Sequence, residues 1–79
     1  MIPKLKNVIP RKPTTIELHY NNGEVRIIDI AQYCKSDYFS ELLDWAYFSR
    51  LKIANGTVSW PHEQDIAPDT LYLDSKSYK

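Results

Sequence analysis

Few residues of this 79-residue chain have the types and spacing that support chemistry, and the densest group lies near the C-terminal end. His62, Glu63, Asp65 and Asp69 could supply imidazole and carboxylate ligands to a metal ion. Their spacing follows neither the HExxH pattern of zinc enzymes nor the DxDxDG pattern of calcium loops. We therefore favour a structural interpretation, in which Asp65 hydrogen-bonds the backbone of a bend before a last helix. No metal or cofactor is predicted.

Residues suited to other kinds of catalysis are equally sparse. His19 and His62 are the only histidines, and no serine lies in a recognisable nucleophile elbow. Cys34 is the only cysteine, and its neighbours in sequence supply neither a base nor a reason for a low thiolate pKa. Both glycines, Gly23 and Gly56, belong to turns, which leaves no phosphate-binding loop. The sequence therefore predicts that the protein is not an enzyme and has no small-molecule substrate.

The length of the chain predicts a single domain over residues 1–79. So short a chain has a marginal core, and small folds usually add disulfides, a metal or oligomerisation. A single cysteine cannot form an intrachain disulfide and is typical of a reducing compartment. The chain contains no apolar run close to the roughly 20 residues of a membrane span, and its N-terminus does not resemble a signal peptide. We expect a cytoplasmic protein that does not bind membranes.

The elements that must position these residues are indicated first by the turn at Asn22-Gly23. An Asn-Gly pair between alternating apolar residues is a strong hairpin signal, because both turn residues tolerate positive φ. A two-residue loop would place Tyr20 opposite Val25 and Leu18 opposite Ile27. The apolar residues of both strands would then share one face.

A second hairpin is predicted around Asn55-Gly56, with Ile53 opposite Val58. A further strand through residues 5–9 is expected at the edge of the sheet, where the neighbouring prolines are tolerated. His19 is expected on the outer face of the first hairpin, beside Arg26, as a solvent-exposed strand residue.

Between the hairpins the apolar spacing changes to that of a helix. One helical face is formed by Phe39, Leu42, Leu43 and Ala46. Ser36 or Asp37 can cap this central helix, and Asp29 with Gln32 resembles a capping box that starts one helical turn after the first hairpin.

Near the end of the chain, Pro68 suits the first position of a short helix through Leu73, with Asp69 in its first turn. The predicted fold is α+β: a small antiparallel sheet of two Asn-Gly hairpins plus an edge strand, one central helix and a short C-terminal helix.

Two aromatic residues of the central helix suggest a docking surface. Tyr38 and Trp45 lie about 110° from the centre of its apolar face at 100° per residue. The apolar stripe is therefore wider than one sheet face requires, and such excess is usually buried against another chain. We expect Tyr38 and Trp45 to bind another protein or a second copy of this chain. The alternative is that both cover the edge of the sheet within the monomer.

The formal net charge is zero, but the charges are unevenly placed. The first thirteen residues carry four cations and no acid, namely Lys4, Lys6, Arg11 and Lys12. Basic segments of this kind can bind nucleic acid, and this is the alternative function. The favoured interpretation is a solvated strand that pairs electrostatically with the acidic residues near the other end of the chain.

Several of these residues together resemble a known family, the domain of unknown function 2442. The likeness covers nearly the whole chain and rests on Asn22-Gly23-Glu24, Asp29-Ile30, Trp60-Pro61 and the run Asp65-Ile66-Ala67-Pro68-Asp69-Thr70-Leu71-Tyr72. Members of that family end on the pattern W-P-x-G-x-D-hydrophobic-x-P-x-x-L-Y. This chain departs from it after Trp60-Pro61, where the glycine is absent and His62-Glu63-Gln64 follows.

The resemblance implies a small bacterial α+β domain without an established activity. Some members are fused to a helix-turn-helix domain, which this sequence does not contain, and many are encoded beside another small protein in pairs that resemble toxin–antitoxin systems. We therefore expect a non-enzymatic interaction module, the partner or antitoxin-like companion of another small bacterial protein. Because this expectation rests on association, it is an analogy and not a mechanism.

Overall fold

The computed structural model describes residues 2–78, which form an α+β domain as predicted. Its strands are β1 (Leu5–Arg11), β2 (Thr15–Tyr20), β3 (Val25–Asp29), β4 (Lys52–Ala54), β5 (Thr57–Ser59) and β6 (Lys76–Ser77). Its α-helices are α1 (Asp37–Ser40), α2 (Trp45–Phe48) and α3 (Pro68–Asp74), and 3-10 turns cover Ile30–Tyr33 and Glu41–Leu43.

The strands form two antiparallel sheets. The larger sheet has the order β1-β2-β3-β6, and β4 and β5 form a separate two-stranded sheet. The edge strand β1 is present, but it continues through Pro10 to Arg11, beyond the predicted end at residue 9; an edge position tolerates the proline. The two hairpins do not share one sheet, because the sheet position beyond β3 is occupied by β6. That strand has only two residues and therefore no alternation that could predict it.

The first hairpin is present, but its predicted register is wrong by one residue. Its loop has three residues, since Tyr20 O accepts from Gly23 N at 3.1 Å and Tyr20 N donates to Glu24 O at 3.0 Å. Gly23 has a φ of 92°, as expected for the last residue of such a loop. Leu18 consequently lies opposite Arg26 and not opposite Ile27.

A shift of one residue turns every side chain of a strand to the other face of the sheet. Val25 and Ile27 therefore lie on the outer face, with Ile27 opposite Glu17. His19 lies opposite Val25, so the expectation that it lies beside Arg26 is also wrong.

The second hairpin has the predicted turn and register. Asn55 and Gly56 both have positive φ, 55° and 79°, which is the requirement of a two-residue type I′ turn. Ile53 lies opposite Val58.

The predicted central helix is interrupted. Asp44 is extended, with φ −86° and ψ 116°, and its side chain caps α2 by accepting from Ala46 N at 3.3 Å. Short polar side chains of this kind favour caps over helix interiors. The interruption rotates the apolar face, so Leu42 is buried while Leu43 is 53% exposed, and Phe48 enters the core instead.

The other predicted helix starts are present, although Gln32 donates to Asp29 O and does not complete the capping box. Asp29 Oδ1 accepts from Ala31 N at 3.0 Å at the start of the first 3-10 turn, and Ser36 caps α1. Pro68 is the first residue of α3.

A single hydrophobic core lies on one face of the larger sheet. Its sheet residues are Leu5, Ile16, Leu18, Tyr20 and Ile28, and they are covered by Ile30, Leu42, Phe48, Val58, Trp60, Ile66 and Leu71. Within residues 2–78, no helix is long and apolar enough to cross a membrane.

Candidate interaction site at the Trp-Pro bend

The candidate site is built on a tight bend over residues 60–64, here called the Trp-Pro bend. Trp60 O accepts from Glu63 N at 2.8 Å and Trp60 N donates to Gln64 O at 3.0 Å, and Ser59 and Asp65 pair across its base. This is the hydrogen-bond pattern of the loop between β2 and β3. Glu63 occupies the position of Gly23 and has a φ of 69°, which few non-glycine residues adopt.

The bend is attached to the rest of the domain through Trp60 and Gln64. Trp60 is 1% exposed, and its Nε1 donates to Phe48 O at 2.9 Å. Gln64 is fully buried, and its Oε1 accepts from Tyr47 OH at 2.6 Å. Gln64 Nε2 donates to Tyr38 O at 2.9 Å and to Glu41 Oε1 at 2.8 Å. A buried amide with both N–H groups bonded holds its neighbours in one arrangement.

This role had been predicted for Asp65. Asp65 is exposed and pairs with Ser59 through the backbone, whereas the side-chain bonds at the bend come from Gln64. Sequence reasoning missed Gln64, because a single glutamine in a polar stretch carries no periodic or motif signal.

Above Gln64, the surface presents Tyr38, His62 and Glu41. Tyr38 is 50% exposed, and its hydroxyl donates to His62 O at 2.9 Å. The His62 ring lies 5.3 Å from the Tyr47 ring, and His62 Nδ1 lies 2.9 and 3.0 Å from the two Glu41 oxygens.

The charges at this surface follow from these contacts. The hydrogen bond with His62, with a smaller contribution from Gln64, holds the pKa of Glu41 below its usual range. Desolvation, followed by the negative charges of Glu63 and Asp65, raises the pKa of Tyr38. At neutral pH the site therefore presents a neutral phenol beside a carboxylate.

The structure separates the two aromatic residues that had been predicted to bind a partner together. Trp45 is half-buried, packs on Phe48 at 5.7 Å between ring centroids, and lies 5.5 Å from Lys12 Nζ. Trp45 is therefore largely covered by its own chain, as in the alternative that the two aromatic residues pack within the monomer. Tyr38, in contrast, is exposed to solvent.

The residues first considered for metal binding do not converge. His62 pairs with Glu41, and Asp69 lies in the first turn of α3. Among residues 2–78, no three histidine, cysteine or acidic side chains are grouped to hold a metal ion.

The two ends of the recognised sequence pattern meet elsewhere, in a cluster of Glu24, Arg26 and Tyr72. Glu24 accepts from Tyr72 OH at 2.8 Å, from Asn22 Nδ2 at 2.6 Å and from Arg26 Nη1 at 3.1 Å. The Arg26 guanidinium lies 4.3 Å from the centroid of the Tyr72 ring and bonds to Ser75. Bonds from Asn22, Tyr72 and Arg26 lower the pKa of Glu24. These pattern residues join the first hairpin to α3, which is a structural role.

The fold is thus that of a small α+β domain. The family model described as protein of unknown function (DUF2442) matches residues 5–77, and the chain belongs to that family. No curated protein matches the chain. No solved structure matches it either.

Proposed function

We propose that this domain is a non-enzymatic interaction module that binds another small bacterial protein, as an antitoxin-like companion, through Tyr38 and the His62–Glu41 pair. One observation carries the proposal: Tyr38 is half exposed although both its hydroxyl and its carbonyl are held by the Trp-Pro bend. An aromatic side chain that is already immobilised loses little conformational entropy on binding, and tyrosine is enriched among residues that dominate binding energy.

The charge around Tyr38 supports a basic partner surface. Asp37, Glu41, Glu63 and Asp65 lie next to Tyr38 in sequence or act on its pKa, and His62 is the nearby basic residue. Complementary charge speeds association and selects against acidic partners.

The absence of catalysis is part of the proposal. The His62 side chain is 61% exposed, so it is open to solvent and is not enclosed over a bound substrate as a general base would be. Burial, followed by the charge of Asp29, raises the pKa of the Cys34 thiol, whereas a nucleophilic cysteine needs a lowered pKa. The single cysteine supports a cytoplasmic setting.

The test uses the protein encoded beside the gene of this chain. The two proteins are purified separately, and their binding is measured by titration calorimetry. We expect a one-to-one complex that Tyr38→Ala weakens by about 30-fold, corresponding to about 2 kcal/mol for a central aromatic residue. Leu73→Ala is the matched control, because Leu73 is 72% exposed and lies outside this site. Equal loss of affinity in both variants, or binding unaffected by Tyr38→Ala, would refute the assignment of the site.

The alternative, nucleic-acid binding by the basic N-terminal segment, has less support. Arg11 donates to Glu17 at 2.9 Å, and Lys12 lies over Trp45, so two of the four cations have partners within the chain. Affinity for duplex DNA that falls by about 100-fold between 50 and 200 mM salt, as expected for about four phosphate contacts, would favour this alternative.

A further inference from the structure

The outer face of the larger sheet is a second surface, separate from Tyr38. Strand register places three rows of side chains on it. The middle row is Ile9, Glu17, Ile27 and Lys76; the rows on either side are Arg11, Thr15 and Asp29, and Asn7, His19 and Val25. Tyr78 extends the last row, because its amide donates to Val25 O at 2.8 Å.

This face has the apolar residues Ile9, Val25 and Ile27 around a central Glu17, and it is not part of the core. Ile9, Val25 and Ile27 are half-buried but do not pack against the core, to which the buried side chains of α2, α3 and the second hairpin all belong. Tyr78 is 51% exposed at the rim. The outer face thus resembles one half of a two-layer packing, in which an apolar sheet face is covered by another layer.

The charge at the centre of this face is already neutralised. Glu17 is only 7% exposed, since Ile9 and Ile27 flank it and its two oxygens bind Arg11 at 2.9 Å and His19 at 2.6 Å. These two bonds lower the pKa of Glu17, and the larger effect comes from Arg11. A carboxylate that is bonded on both oxygens adds little further desolvation cost when another surface covers it.

We propose that the outer face packs against the same face of a second copy, forming a symmetric dimer. Four strands about 4.8 Å apart make the sheet about 20 Å wide, and the three rows together extend about 20 Å along the strands. These dimensions give roughly 400 Å² of flat sheet per copy. Because protruding side chains make the accessible surface larger than this flat area, two copies bury on the order of 1,000 Å² in total. This area is the lower limit for a specific interface. An interface of this small size is typical of weak association, and we expect a dissociation constant in the micromolar range.

Charge complementarity selects one orientation of the two sheets. With the two-fold axis along the strands, β1 of one copy lies over β6 of the other. Arg11 then lies above an open cavity of about 460 Å³ in the second copy, whose charged lining residues are Asp29, Asp74 and Lys76, so that two carboxylates and one ammonium face Arg11. The Arg11 side chain is 56% exposed, so its remaining N–H groups can reach these carboxylates. With the axis across the strands, Arg11 would instead face the row of Asn7, His19 and Val25, which contains no acid.

The first measurement is sedimentation equilibrium of the purified chain from about 1 to 500 μM, a range that brackets a micromolar dissociation constant, against a monomer mass of 9.3 kDa. We expect a reversible doubling of mass. Ile27→Lys weakens the dimer at least tenfold, whereas Leu73→Lys is the matched control on α3, where Leu73 is 72% exposed. A parent chain that remains monomeric at the highest concentration overturns the proposal.

A charge exchange tests the orientation without depending on the stability of one variant. Arg11→Glu and Asp74→Lys each place like charges across the interface and weaken self-association. When the two variants are mixed, the carboxylate introduced in one chain faces the ammonium introduced in the other, and the native pair forms at the second contact. A heterodimer then forms with near-parent affinity. A mixture that associates no better than either variant alone refutes this dimer. Tyr38→Ala leaves dimerisation unchanged, so this proposal and the proposed function fail independently.

Discussion

Replacement of Glu63 by glycine should stabilise the protein. Glu63 has a φ of 69° at the position of the Trp-Pro bend that corresponds to Gly23 in the first hairpin. A side chain in the left-handed region costs about 1–2 kcal/mol, because Cβ approaches the following carbonyl oxygen. Glycine removes this cost but makes the unfolded chain more flexible, which reduces stability by about 0.5–1 kcal/mol. The net gain is about 0.5–1 kcal/mol.

For a domain of this size, 1 kcal/mol corresponds to about 4–8 °C in melting temperature, so Glu63→Gly should melt about 2–8 °C higher. Thermal and urea unfolding followed by circular dichroism measure the change. Glu63→Ala separates the backbone from the side chain: it keeps the strained φ, and we expect its free energy of unfolding to stay within about 0.5 kcal/mol of the parent's.

The reciprocal variant is Gly23→Ala. A Cβ at Gly23 would meet no atom within 4 Å, so its effect comes from the backbone alone at a φ of 92°. We expect a loss of about 1 kcal/mol. If Glu63→Gly is no more stable than Glu63→Ala, the bend does not hold residue 63 in the left-handed region, and the correspondence between the two loops is wrong.

Three further predictions concern buried and charged groups. Gln64→Leu should reduce the free energy of unfolding by about 2–3 kcal/mol, because the Tyr47 hydroxyl and the Tyr38 carbonyl lose their hydrogen bonds to Gln64. Asp65→Ala should change the free energy of unfolding by less than about 0.5 kcal/mol, and urea unfolding measures both variants. Tyr20→Phe should be at least as stable as the parent, because the buried Tyr20 hydroxyl has no partner among residues 2–78. Burial raises the pKa of Tyr20 to about 12, so ionisation of Tyr20 destabilises the parent as the pH rises from about 10. Tyr20→Phe lacks this ionisable group, and melting temperatures measured at alkaline pH should show the difference. The pKa of Glu17 lies below the ordinary 4.5, so its bonds to Arg11 and His19 stabilise the fold fully above that pH. Their contribution falls as the pH drops through the folded pKa. Glu17→Gln should therefore reduce the dependence of the melting temperature on pH in the acid range.

Local signals in the sequence predicted the elements well. The turn at Asn55-Gly56, the cap at Asp29 and the start of α3 at Pro68 all depend on residues within a few positions, and the structure agrees with each. The first turn shows where such rules stop. Asn22-Gly23 is compatible with a two-residue or a three-residue loop, and the observed three-residue loop places Arg26 and Ile28 on the core face. Arg26 lies on the core face because Tyr72 and Ser75, almost fifty residues later, bind its guanidinium.

The candidate site was predictable only where it depends on local sequence signals. Tyr38 lies off the apolar face of its segment, and it is exposed. The sequence did not indicate Gln64, whose partners come from residues 17 to 26 positions away. Nor did it separate Trp45 from Tyr38, because the interruption at Asp44 changes the direction of α2 relative to α1.

The placement of β6 has a consequence for how the protein is made. The hydrogen bond between Arg26 and Ser75 joins residues 49 positions apart, and within residues 2–78 the partner of β6 is β3. During synthesis, the first hairpin leaves the ribosome with the outer edge of β3 unpaired. The residues that pair with this edge are translated 49 positions later. A chain interrupted before residue 76 would keep an open edge, which is a template for pairing with other chains. Residues 76–77 therefore cover this edge only after they have been translated, and a tag placed directly after them needs a linker that leaves β6 free to pair.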